Sequence, residues 1–114
     1  RRVAVTGWYD GDHDVEIRLV QFRQEETVVA AESVVNSQTR AEGAFTDSWL
    51  VPGTEDGRAY VHKEPVREPG YEAFYSAEAH AWRGDIAVEI WVSSSEPVPK
   101  KMILDLAERQ MEQL

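Results

Sequence analysis

The tripeptide Arg83-Gly84-Asp85 lies between two runs of alternating residues, and it constrains this chain more than any other feature. Gly-Asp suits a two-residue hairpin loop of the primed type, because glycine takes a positive φ without steric cost. With that loop, Arg83 faces Ile86, and strand alternation assigns every neighbour to a face. Ala77, Ala79 and Ala81 share one face with Ile86, Val88, Ile90 and Val92. Phe74, Glu78, His80 and Trp82 share the other with Ala87, Glu89 and Trp91. Moving the loop to Arg83-Gly84 changes the pairs but keeps the faces. The first face is small and aliphatic, suited to a packed helix. The second is aromatic with charges interleaved, which is unusual for a face that only meets water.

Residues 3–9 alternate ahead of the turn-like Asp10-Gly11-Asp12-His13-Asp14, and residues 15–22 alternate after it. A five-residue loop there keeps Val5, Ile17 and Leu19 on one face and puts Trp8 beside Glu16 on the other. Residues 24–40 read as a helix with the stripe Val28, Ala31, Val34 and Val35. Glu25 and Glu26 stand in its first turn, where the helix dipole favours them. Residues 46–51 and 58–64 read as strands joined by a loop with one proline and two glycines. Residues 64–70 form a linker. Pro99 fits the first position of a last helix, whose face is Ile103, Ala107, Met111 and Leu114. Lys100 and Lys101 then sit at the unfavourable end of the dipole.

The order is therefore ββα, ββ, ββα within a single α+β domain spanning residues 1–114. Its expected form is a mainly antiparallel sheet of about six strands with both helices packed on the aliphatic face. The alternative folds the middle hairpin over the other face as a second layer. The two ends echo each other, with Trp8 and Val15-Glu16-Ile17 matched by Trp82 and Val88-Glu89-Ile90. The identical residues are too few to prove a duplication.

A chain of 114 residues can bury a core without metal or disulfide staples. It has no cysteine, so thiol chemistry is excluded. The net charge of −9 argues against nucleic acid and against anionic membrane surfaces. No apolar run is long enough for a membrane span, so no membrane insertion is expected. The partners left open are an unidentified small molecule or protein, including a homodimer. No cofactor is expected.

At the last strand and helix, residues 88–114, the chain resembles the C-terminal end of small actinobacterial cell-surface lipoproteins and sensor-like domains, similar in shape to the PsbP-like α/β sandwich; the likeness covers about the last 45 residues, and the remainder only in element order. The likeness is one of strand, proline start and amphipathic helix. It implies an extracytoplasmic, non-catalytic domain that binds a ligand or partner. It carries over no functional residue, and the cysteine that would anchor such a lipoprotein is absent.

Asp10, Asp12 and Asp14 have the opening spacing of a calcium loop, yet Val15 occupies the glycine position and Gln21 that of the bidentate acid. The acidic turn is therefore read as turn chemistry, with no metal site. Arg83-Gly84-Asp85 matches an integrin-binding tripeptide, but hairpin chemistry explains it. His13, His62 and His80 are dispersed without metal-ligand spacing. His80 and Glu89 are near-opposite and form a plausible pair, structural or acid–base. Glu16, Glu78 and Glu89 share a face. The binding surface is expected at Trp82, Trp91, His80, Glu89, Trp8 and Phe74, with Trp49 joining them, because tryptophan is favoured at interfaces. The competing reading makes these rings a second core. The expected function is a non-enzymatic, sensor-like binding domain with no catalytic residue. The alternatives are a small hydrolase or isomerase using His80 with Glu89, and a structural or oligomerisation module.

Overall fold

Two Gly-Asp turns set the geometry of the sheet. Strand β1 (Arg2–Asp10) returns as β2 (His13–Gln21), and β5 (Tyr75–Arg83) returns as β6 (Ile86–Ser94). Gly11 has φ 59° and Gly84 φ 58°, and among the described residues no other residue type takes a positive φ. A positive φ at the first loop position alone is the type II′ pattern. The structure is a computed structural model that describes residues 2–23 and 27–114.

Between the hairpins come α1 (Thr27–Ala41), β3 (Thr46–Leu50) and β4 (Arg58–His62), and α2 (Lys100–Glu112) closes the chain. The fold is α+β. Six antiparallel strands form one sheet in the order β1-β2-β6-β5-β4-β3. The middle hairpin thus extends the sheet instead of folding over it. The expected helix start at Gln24, with Glu25 and Glu26, falls outside the described residues.

The aliphatic face is as expected over β5 and β6. Val15, Ile17, Ala77, Ala79, Ala81, Val88, Ile90 and Val92 meet Ile103, Ala107 and Met111 of α2 in the main core. Leu114, expected on that stripe, lies past the helix and is exposed. Pro99 caps α2 in extended conformation, one residue before the helix. Lys100 places its Nζ 4.8 Å from the centre of the Trp49 ring, and this cation–π contact offsets the dipole cost.

Helix α1 does not join α2. It packs on the opposite face, where Ala30 and Val34 meet Val20, Phe22, Ala87 and the half-buried Trp82. Both helices cover β5 and β6, so this hairpin is the middle layer of three. Of the expected stripe Val34 is buried and Ala31 half-buried, but Val28 and Val35 are exposed, while Ala30, Ser37 and Ala41 face inward. Valine spacing misled because small residues are what fit closely between helix and sheet.

The first turn also overturns a face assignment. A loop of two residues instead of five puts Trp8 opposite Val15 and Thr6 opposite Ile17. Trp8 therefore lies on the aliphatic side, and Val5, opposite Arg18, lies on the polar side. Every described residue of β1 from 2 to 9 is exposed.

The echo between the ends holds for Val15-Glu16-Ile17 and Val88-Glu89-Ile90 but not for the tryptophans, because the shift that relates the strands carries Trp8 onto Ala81. Shifting by 73 residues carries the end of β1 and both ends of β2 (Asp10, His13, Gln21) onto those of β5 and β6 (Arg83, Ile86, Ser94). The same shift relates Ile17 to Ile90, which are also register partners across β2 and β6. An approximate twofold axis therefore passes between these two isoleucines for the strands β1, β2, β6 and β5; the helices break it, and so do β4 and β3, which extend the sheet beyond β5 alone.

Candidate functional site

Alternation puts Tyr60, Glu78 and Trp91 in one row across β4, β5 and β6, and Arg58, His80 and Glu89 in the next. Glu78 and His80 lie two residues apart on one face of a buried strand, so they share a cramped environment. Both are buried, with His80 only 1% exposed. Glu16 pairs with Trp91, so Glu16, Glu78 and Glu89 do share this face.

The carboxylate of Glu78 joins two histidines. Its Oε2 lies 2.7 Å from His62 Nε2, and its Oε1 lies 2.8 Å from His80 Nε2. Burial raises the affinity of this carboxyl group for its proton, but the hydrogen bonds and charge of His62 and His80 outweigh burial and hold its pKa at about 2. An ionised carboxylate only accepts, so each Nε2 carries the proton and donates it. His62 Nδ1 lies 2.7 Å from Thr46 Oγ1, and the hydroxyl donates to it whenever the ring is neutral. The result is a chain Thr46–His62–Glu78–His80 from the sheet edge to its interior.

His80 ends that chain. Its ring meets Trp91 edge-on with centroids 5.3 Å apart and lies tilted against the buried Tyr60 at 6.4 Å. Its Nδ1 is buried and has no hydrogen-bond partner among the described residues. An orphaned buried polar atom of this kind costs about 1–3 kcal/mol. Burial pushes the Tyr60 phenol up, Glu42 and Glu78 push the same way, and Arg58 opposes them.

The outer end of the chain faces a cavity of about 410 Å³ whose lining includes Phe45, Thr46, His62, Pro65, Val66 and Ser76. Phe45 is 59% exposed and Val66 37% exposed, so its rim is apolar while Thr46 and His62 supply polar groups. A second cavity, also about 410 Å³, lies beside the last turns of α1, between Gln38, Glu42, Arg58, Tyr60 and Trp82. A smaller depression of about 250 Å³ lies against Trp91, Glu16 and Gly7.

The expected surface is thus divided. Trp82 sits under α1, and Trp91 remains 38% exposed. Phe74 is half-buried just before β5, in a bridge to Val66. Trp8 is on the opposite face, and so is Trp49, which packs against the main core. His80 does face Glu89 in register, but its Nε2 donates to Glu78, so the expected pair is not the one formed. His62 and Thr46 were missed as partners because they stand on β3 and β4, whose register against β5 depends on the linker. The signal available was two histidines and a glutamate at even positions of neighbouring strands. Among the described residues no group of His, Cys, Asp or Glu could hold a metal ion, and no helix is long and apolar enough to cross a membrane. Comparison of the sequence with protein-family models and with curated proteins finds no match.

Proposed function

We propose that the protein is a non-enzymatic, sensor-like binding domain of the cell envelope, which takes a small amphipathic molecule in the cavity at Thr46 and His62. The observation that carries this reading is the Thr46 hydroxyl held by His62, itself held by Glu78, beside an apolar rim of Phe45 and Val66. With the ring neutral, the hydroxyl proton is committed to His62 and the oxygen keeps lone pairs for a donor on the ligand. The net charge of −9 favours a neutral or cationic molecule over an anion. The envelope setting rests on the likeness of residues 88–114 to cell-surface lipoproteins.

One observation favours a second reading. Hydroxyl, imidazole and carboxylate stand in the order used for acyl transfer, with both spacings 2.7 Å. The binding reading is preferred because the backbone N–H groups of Thr46, Lys63 and Val66 are already given to Gly43, Phe45 and Phe74 carbonyls. They are not left to stabilise an oxyanion. NMR titration with small amphipathic alcohols, amides, amines and carboxylic acids tests the proposal. Shifts should centre on residues 43–46 and 62–66 and should weaken in Thr46→Val and Phe45→Ala. Shifts centred on Trp91 instead would refute the site. Turnover of p-nitrophenyl esters that is lost in Thr46→Val would make the protein an enzyme.

A further inference from the structure

The two edges of the sheet are built differently. Strand β3 is five residues long, and its Asp47 pairs with Lys63 at 3.2 Å. Strand β1 is nine residues long, with neither proline nor lysine. Long edges that lack such features invite pairing with another strand. On this edge Val3 is 48%, Val5 57%, Trp8 41% and Tyr9 74% exposed. Under the shift of 73 residues, β1 corresponds to β5, and the outer edge of β5 is occupied by β4. The equivalent place beside β1 has no strand among the described residues.

The sequence of β1 says what fits there. The two-residue loop makes Asp10 and His13 a hydrogen-bonded pair, and alternation then turns the backbone groups of Val3, Val5, Gly7 and Tyr9 away from β2. An antiparallel second β1 satisfies those groups if it pairs odd positions with odd ones. Centring the pair on Thr6 does so and overlaps the whole strand. It sets Arg2 opposite Asp10 of the other copy, Val3 opposite Tyr9, Ala4 opposite Trp8 and Val5 opposite Gly7. This register pairs a basic with an acidic position at both ends, and each bulky residue with a smaller one. We infer that β1 is a homodimer interface, joining two copies edge to edge through this register into one continuous sheet of twelve strands.

Sedimentation velocity over a range of concentrations tests the inference. The wild-type chain should form a dimer by mass action. Val5→Pro should abolish it, because Val5 N–H points away from β2, and proline is tolerated on an edge strand at such a position. Circular dichroism should show the fold of that variant unchanged. Thr6→Lys places two like charges together at the twofold axis and should weaken the dimer at least tenfold. Arg2→Asp should weaken it as well, and Arg2→Asp combined with Asp10→Arg should restore it, which a dimer formed elsewhere would not do. A monomer at every concentration, or a dimer indifferent to Val5→Pro, would overturn the inference.

Discussion

The first ββα unit, residues 2–41, and the last, residues 75–114, share their spacing and their turn but not their burial. In the last unit β5 is flanked on both faces by helices and on its outer edge by β4. In the first, β1 is exposed throughout its described length. Equivalent positions show what this difference does. Trp8 corresponds to Ala81, Val5 to Glu78 and Gly7 to His80. The polar cluster therefore exists in only one unit, the one where helix and neighbouring strand exclude water. Shared local structure sets where a side chain points, and the neighbouring layers decide whether its chemistry is perturbed.

The comparison breaks most visibly at the helices. Met111→Asp puts a charge into the core under α2 and should cost more than about 4 kcal/mol. Val35→Asp on the exposed flank of α1 should change stability by less than about 0.5 kcal/mol. Urea melts with equal shifts would mean that α2 is not docked as described.

Acid should act on the last unit first. The folded-state pKa of Glu78, about 2, lies below its ordinary 4.5. Its contribution is therefore complete above the ordinary value and is lost as pH falls from about 4.5 towards about 2. The amount is on the order of 3 kcal/mol. Glu78→Gln should flatten the pH dependence of stability in that window. An unchanged slope would show that the two histidines do not hold the carboxylate.

The tryptophans give the smallest and most graded effects. Trp82→Ala, under α1, should cost about 2–3 kcal/mol, below the range for a fully buried ring. Trp91→Ala should cost under about 1.5 kcal/mol, and Trp8→Ala under about 1 kcal/mol. Acrylamide should quench Trp8 and Trp91 more readily than Trp82. Large losses at both Trp82 and Trp91, with neither ring quenched, would make that face a second core.

The faces of the β5–β6 hairpin were legible in sequence because alternation around Gly84-Asp85 is insensitive to small errors of register. The same logic failed at Trp8, where a turn rich in aspartate left the loop length open between two and five residues, and odd changes swap faces. The side chosen by α1 was not legible, since Ala30 and Val34 suit either face and the choice depends on Ala87 and Trp82. Glu78 and His80 were placed on the right face, but His62 and Thr46 come from strands whose register is set by loops. Valine at 28 and 35 was read as core, although these side chains face out.

The strand order also bears on how the chain reaches this state. Every pairing in the sheet joins neighbours in sequence except that of β2 with β6. Ile17 and Ile90 meet across a gap of 73 residues, so that pairing carries the largest loop-closure entropy in the sheet. Local hairpins form in about 1–10 μs, well before such a closure is rewarded. The run from β3 to β6 should therefore assemble first and the N-terminal hairpin dock onto β6 late. Folding φ-values should be high at Ala79 and near zero at Ile17. Native-state hydrogen exchange should release the amides of β1 before those of β5. The reverse order would mean that the longest-range pairing, not the local hairpins, nucleates the fold.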